Sequence, residues 1–217
     1  MKNSTIALET TAFNSVVVDL ETLDISPSAV ILTIGAVMFD INTIDVLDRP
    51  REDNRREMHL HLENRAQMLN LGRTVTPSTI QWWTKQDEEA KKAIFCDASK
   101  YLTLKNALLQ LTEFIGDKKV YFRGTDFDGA ILEHAYQQCE LKAPWKYNAK
   151  RDIRTFIDAK TGSDCGYIDG LDKPDWITKH RADHDALWDA YQLQLANNPG
   201  DRGLGRDQNN EGDTVTV

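Results

Sequence analysis

The sequence predicts a single α/β domain, on three observations. Apolar, β-branched runs crowd the first third of the chain, and helical periodicity dominates the remainder. A length of 217 residues with 41% hydrophobic side chains suits one core rather than two. Val16 to Glu21 (VVVDLE) is the first apolar run and Ala29 to Phe39 (AVILTIGAVMF) the second. Both suit central strands of a sheet covered on both faces. The intervening LDISPSA carries turn residues, so the pair reads as a hairpin. Residues 40–57 are polar and predict a loop or excursion, after which Met58 to Leu62 (MHLHL) alternates as a half-exposed third strand does.

Helices come next. Thr76 to Trp83 opens one, with Ser78 and Gln81 in capping-box spacing and Pro77 near the first turn. Asp87 caps a second, DEEAKKAIF, whose acids precede its lysines as the helix dipole prefers. From Thr103 to Ile115, Leu104, Leu108, Leu111 and Ile115 share one stripe of an amphipathic helix, and Gly116 ends it. Lys119 to Arg123 (KVYFR) reads as a strand and Asp128 to Cys139 as a helix with Ile131, Leu132 and Ala135 inward. Arg151 to Ala159 mixes strand and helix signals, and Gly162 to Lys179 is largely loop. The last helix runs from about Asp183 to Ala196, where Asn197-Asn198-Pro199-Gly200 stops it. The folded domain is expected over 14–199, with 1–13 an N-terminal segment. Residues 200–217 lack hydrophobic periodicity and read as a disordered tail.

Composition excludes several function classes. With 34 acidic and 26 basic side chains, the net charge of −8 argues against a protein that coats nucleic acid by neutralising phosphates. An acidic site that grips one phosphate through metal ions stays open. No run approaches the eighteen or so apolar residues of a membrane span. The N-terminus lacks an apolar secretory core, so a cytoplasmic location is expected. Cys96, Cys139 and Cys165 fit neither a disulfide framework nor a zinc knuckle and read as reduced thiols.

The acids suggest the chemistry. Asp19 and Glu21 lie two apart in an apolar strand, and period-two geometry sends both to one face. They are either a strand end emerging into solvent or paired oxygen ligands for a hard divalent cation. Asp128 lies just past a strand, as a plain N-cap or as an acid pointing across the sheet edge. In His180-Arg181-Ala182-Asp183-His184-Asp185-Ala186 a histidine stands five residues before an acid. That separation is about 140° on a helix, so the two converge only if His180 sits on the preceding loop.

These motifs together resemble the DEDDh exonucleases of the ribonuclease H-like superfamily. D-L-E-T-L (Asp19 to Leu23) resembles the first motif, F-D-x-x-I-L (Phe127 to Leu132) the second and H-x-x-x-x-D-A (His180 to Ala186) the third, over roughly residues 14–196. STIQWWTKQDEEAK, RGTDFDGAIL and RDIRT resemble a narrower branch, that of the T-even phage 3′-to-5′ exodeoxyribonuclease and the small bacterial exoribonucleases related to ribonuclease T. Within the motifs Asp126 competes with Asp128, His184 with His180, and Asp183 and Asp189 with Asp185. The family spacing selects Asp128, His180 and Asp185.

The resemblance implies a ribonuclease H-like mixed sheet flanked by helices and a metal-dependent 3′-to-5′ exonuclease releasing nucleoside 5′-monophosphates. Single-stranded DNA is favoured as substrate, with RNA 3′ overhangs as the alternative. Asp19, Glu21, Asp128 and Asp185 are implied to hold two divalent cations, Mg²⁺ or Mn²⁺. His180 is the implied general base, with nearby anions raising its pKa and the cations opposing them. Thr22 and Leu23 are implied to bind the terminal nucleotide, Leu23 as a wedge beside the last base. Arg123, Arg151 and Arg154 either contact phosphate or form internal salt bridges. Met58, His59, His61, Trp82, Trp83 and Cys96 are assigned to packing or solvent. A homodimer is an allowed partner state, by analogy with related small exonucleases. An inactive binding module is the rival reading, disfavoured because all four acids are present.

Overall fold

A computed structural model describes residues 13–48 and 56–201. Nearly all of the expected N-terminal segment and tail, and residues 49–55 of the polar excursion, lie outside the described residues. A five-stranded sheet forms from β1 (Ser15–Thr22), β2 (Ile31–Phe39), β3 (Glu57–His61), β4 (Lys119–Phe122) and β5 (Lys150–Asp152). The spatial order is β3-β2-β1-β4-β5. The first three strands pair antiparallel, and β4 and β5 join parallel to β1 and to each other. The sheet is therefore mixed, as the resemblance implies.

Helices are α1 (Asn64–Leu71), α2 (Pro77–Thr84), α3 (Glu88–Ala93), α4 (Leu104–Ile115), α5 (Ala130–Gln138), α6 (Ile153–Thr161) and α7 (Ala182–Asn197). Alternation along β1 divides the core. Val16, Val18 and Leu20 pack with Leu104, Leu108 and Leu111 of α4 and Ile131 and Leu132 of α5. Val17 faces the other way, onto Ile153 and Ile157 of α6 and Ala186, Leu187, Ala190 and Leu193 of α7. Period two then places Asp19 and Glu21 on the α7 side. Gly35 pairs with Asp19 in the register of β2.

Two local expectations are corrected, and one helix is found where none was expected. Helix α2 is not opened by a Ser78–Gln81 capping box: its N-cap is Thr76, with Pro77 at the first helical position. The Ser78 hydroxyl donates to Thr76 Oγ1 at 3.3 Å instead. Helix α5 begins at Ala130 rather than Asp128, because Thr125–Gly129 forms a π-helical turn first. Helix α1 has no counterpart in the apolar pattern, since it docks through an amide rather than an apolar stripe. Gln67 Nε2 donates to the Ile31 carbonyl at 2.8 Å and its Oε1 accepts from the Ile31 N–H at 3.0 Å.

The mixed signal of Arg151 to Ala159 resolves into β5 followed directly by α6. Asp152 caps that helix by accepting from the Thr155 N–H at 2.8 Å. The described part of the polar excursion is held to α7, where the Gln194 side chain donates to the Asp40 carbonyl at 2.9 Å and accepts from the Val46 N–H at 3.1 Å. Among the described residues no helix is long and apolar enough to cross a membrane.

Gly35 lets α7 reach the sheet. A Cβ there would lie 2.0 Å from the Ala182 carbonyl carbon and 2.2 Å from the Asp183 nitrogen, both backbone atoms of the first turn of α7. Gly35→Ala is therefore expected to force that turn outward, costing roughly 1–3 kcal/mol. It should also lower turnover, since Asp185 rides on the same turn. Thermal unfolding with a parallel activity assay checks both; an unchanged melting temperature would show that the turn yields freely.

Candidate active site

The end of β1 forms the floor of a cleft of about 740 Å³, within the range of ligand sites. Asp19, Glu21, Asp185 and His180 all line it. Asp128 is buried just behind, where its Oδ1 accepts from the Leu20 N–H at 3.2 Å. The wide π turn after β4 swings it there, a geometry often found at functional sites. Glu21, His180 and Asp185 each offer a ligand atom, and these lie within 4.8 Å of one another.

His180 reaches this cluster through an unusual backbone. It has φ of 61°, a left-handed conformation costly for a residue with a Cβ. Its N–H donates to Asp185 Oδ2 at 2.7 Å, fastening the loop end to the first turn of α7. The histidine thus stands on the loop and the acid on the helix.

Electrostatics set these acids apart. Burial, reinforced by Asp128, Glu21 and Asp185, holds the Asp19 carboxyl well above the usual carboxylate range. Burial raises Glu21 as well, with Asp185 and Asp128 adding to it. Burial pushes Asp128 up to about 7 even though the Leu20 amide opposes the shift. Like charges buried together need a counter-charge. The protein supplies little: Lys173 Nζ lies 3.1 Å from Asp185 Oδ1, and Arg123 is engaged elsewhere. A crowded, desolvated set of oxygen donors with one imidazole fits a hard divalent cation.

The competing residues separate cleanly. Asp126 is exposed, whereas Asp128 is buried. Asp183 turns away from the cleft, accepting from Arg181 Nε at 2.8 Å and lying 3.4 Å from His59 Nδ1. His184 Nδ1 accepts from the Thr178 N–H at 2.9 Å, and its ring meets Trp176. Asp189 does line the cleft, but Arg123 clasps it with Nε at 2.9 Å and Nη2 at 2.7 Å. Arg123 also stacks over Tyr167, 4.0 Å from its ring centroid. Of the three arginines considered for phosphate, Arg123 thus forms an internal salt bridge. Arg154 donates to the Arg123 carbonyl, and Arg151 donates to the nearby Asn148 and Lys150 carbonyls.

Burial lowers the His180 pKa from its ordinary value, and Asp185 opposes the shift without cancelling it. Nearby anions do raise it, as expected, but burial outweighs them, so the desolvated ring stays neutral more readily.

Thr22 lines the cleft, its hydroxyl donating to the Asp24 carbonyl at 2.7 Å. Leu23 is partly buried against Leu32, Trp83 and Ile94 and is not on the cleft wall. Ile25, 78% exposed, is the apolar side chain that lines the cleft there. Of the residues assigned to packing or solvent, Trp82 is the exception: it lines the cleft and meets His180. Adjacent helical residues point about 100° apart, so Trp82 and Trp83 cannot share one environment. Lys173, inside a loop without periodicity, carries no sequence signal at all.

Comparison with known proteins places the chain among 3′-to-5′ exonucleases. The chain belongs to the Rv2179c-like family of 3′-5′ exoribonuclease domains, whose description matches residues 14–197. It is similar to the exodeoxyribonuclease of Enterobacteria phage T4, 26% identical over 209 residues, covering 83% of this chain and 89% of the phage protein. Its fold is similar to the nuclease domain of 3′hExo, a DEDDh family member solved bound to rAMP. There the TM-score is 0.52 at 11% identity, covering 85% of this chain and 92% of that one. Exonucleases of this class generally use divalent metal ions.

Proposed function

We propose that the chain removes nucleoside 5′-monophosphates stepwise from the 3′ ends of single strands, DNA first and RNA second. The observation that carries this reading is the convergence of Asp19, Glu21, Asp128 and Asp185 with His180 at one end of β1. Two cations, Mg²⁺ or Mn²⁺, would be held by the four acids, where they supply charge neutralisation at the phosphoryl group and a more acidic water. His180 takes the proton of the attacking water on a ring nitrogen. As the water oxygen bonds to phosphorus, the bond to the 3′ oxygen breaks and that oxygen gains a proton. Ile25 on the cleft wall offers apolar surface to unpaired bases without reading sequence. Thr22 stands at the same wall beside the terminal nucleotide. Leu23 supports this wall from behind rather than acting as the wedge.

The similarity to a phage exodeoxyribonuclease supports DNA; the exoribonuclease description of the family supports RNA as the second reading. Incubation with 5′-labelled DNA and RNA of one sequence should give a ladder descending from the 3′ end. Chelation should abolish it, and Mg²⁺ or Mn²⁺ should restore it. Cutting of a circular single strand would overturn the exonuclease reading.

A further inference from the structure

We propose that Trp82 is a positioning residue for His180, holding the imidazole in the cleft by ring contact where other histidine bases are held by a hydrogen bond. The proposal rests on His180 being the base. A catalytic histidine is ordinarily oriented through its second ring nitrogen, by a carboxylate or a carbonyl. Among the described residues, neither ring nitrogen of His180 makes a hydrogen bond; only its backbone N–H does, to Asp185. The ring instead meets Trp82 edge-on, with centroids 4.7 Å apart and planes at 77°. Trp83 stands farther off, at 6.4 Å. Both distances fall within the range of favourable aromatic pairs, and the nearer contact is the stronger constraint.

Trp82 is itself anchored to the catalytic strand. It packs edge-on against Trp83 at 5.1 Å, and the buried Trp83 donates its indole N–H to the Thr22 carbonyl at 2.9 Å. The Thr76 N–H at the start of α2 donates to the Leu23 carbonyl at 3.0 Å. A continuous chain therefore runs from the end of β1, which carries Asp19 and Glu21, through two indoles to the imidazole. The left-handed loop backbone under His180 limits χ1, but no side-chain hydrogen bond among the described residues fixes the rotation of the ring about χ2. Trp82 removes that freedom while remaining 41% exposed, which means its loss opens no core cavity.

The test is a double-mutant cycle on Trp82→Ala, Trp82→Phe and His180→Ala with a single-stranded oligonucleotide and saturating Mn²⁺. Trp82→Ala should lower kcat by roughly ten- to a hundredfold, the scale of a misplaced catalytic group. KM should move by less than about threefold, and Trp82→Phe should restore most of the rate because a ring remains. In a His180→Ala background, Trp82→Ala should cost nothing further. NMR of the folded variants should show the His180 ring protons losing their ring-current shift in Trp82→Ala and keeping much of it in Trp82→Phe. An equal loss in both backgrounds, or a raised KM with kcat intact, would overturn the proposal and make Trp82 a substrate platform. Loss of the melting transition in Trp82→Phe would overturn it in favour of a purely structural role. A His180→Ala enzyme as fast as wild type would instead remove the base assignment, whatever Trp82 does.

Discussion

Asp19→Ala, Asp128→Ala and Asp185→Ala should each lower the rate by roughly three orders of magnitude or more, with double variants hardly slower than single ones. The acids hold common ions rather than making separate contacts, so removing one disables the set. The folded protein should tolerate the changes, and its pH dependence gives a second readout. Asp19, Glu21 and Asp128 are raised above their ordinary values, Asp128 to about 7. A carboxyl raised on folding stabilises the native state below its unfolded pKa, and that contribution is lost as pH rises through the folded value. Metal-free wild type should therefore lose stability between about pH 4 and 7 relative to Asp128→Asn. Near pH 8 the variant should melt higher by at least a few degrees, about 1 kcal/mol in a chain of this size. At pH 4 and below the two should converge. Adding Mn²⁺ at pH 8 should raise the melting temperature of wild type and do less for the variant. An Asp128→Ala enzyme that keeps its activity while Asp126→Ala loses it would show that the wrong aspartate carries the site.

The parts of this site that are legible in the sequence are those fixed by short-range geometry. Two acids in an apolar strand must share a face, so periodicity alone places Asp19 and Glu21 together. The five-residue separation of His180 and Asp185 requires a loop and a helix, and the structure supplies both. The hidden parts depend on atoms far apart in the chain. The π turn that delivers Asp128 has no sequence signature, and the motif register alone favours it over Asp126. Gly35 looks like an interruption of a strand, yet its missing side chain admits the backbone of a helix about 147 residues later (182 − 35). Helix α1 escapes because one buried glutamine replaces an apolar stripe. Lys173 and Trp82 reach the cleft only because loop and helix α2 fold over the end of β1, which periodicity does not encode.

His180→Ala should lower turnover by roughly 10²–10⁴-fold, the usual worth of a positioned base, while His184→Ala stays within a few-fold of wild type. The contrast arises from the contacts of each ring. His184 accepts a backbone N–H from Thr178 and packs on Trp176, so it braces the loop outside the cleft. His180 lies in the cleft beside Glu21 and Asp185, and burial lowers its pKa. A base must be neutral to accept a proton, so the rate should rise with pH as His180 deprotonates and level off above it. Because the ring is biased toward its neutral form, that limb should fall below the ordinary histidine range, and bound cations would push it lower still. Cation affinity is the decisive companion measurement. The imidazole is near enough to Glu21 and Asp185 to ligate as well as to accept a proton. Were it acting as a ligand, His180→Ala would raise the Mn²⁺ concentration needed for half-maximal rate, and saturating Mn²⁺ would restore much of the activity. As a base, its loss should leave that concentration within about threefold of wild type and the rate low at any Mn²⁺ level. A limb that persists unchanged in His180→Ala, but moves when Mg²⁺ replaces Mn²⁺, would assign it to a water whose acidity the cation sets.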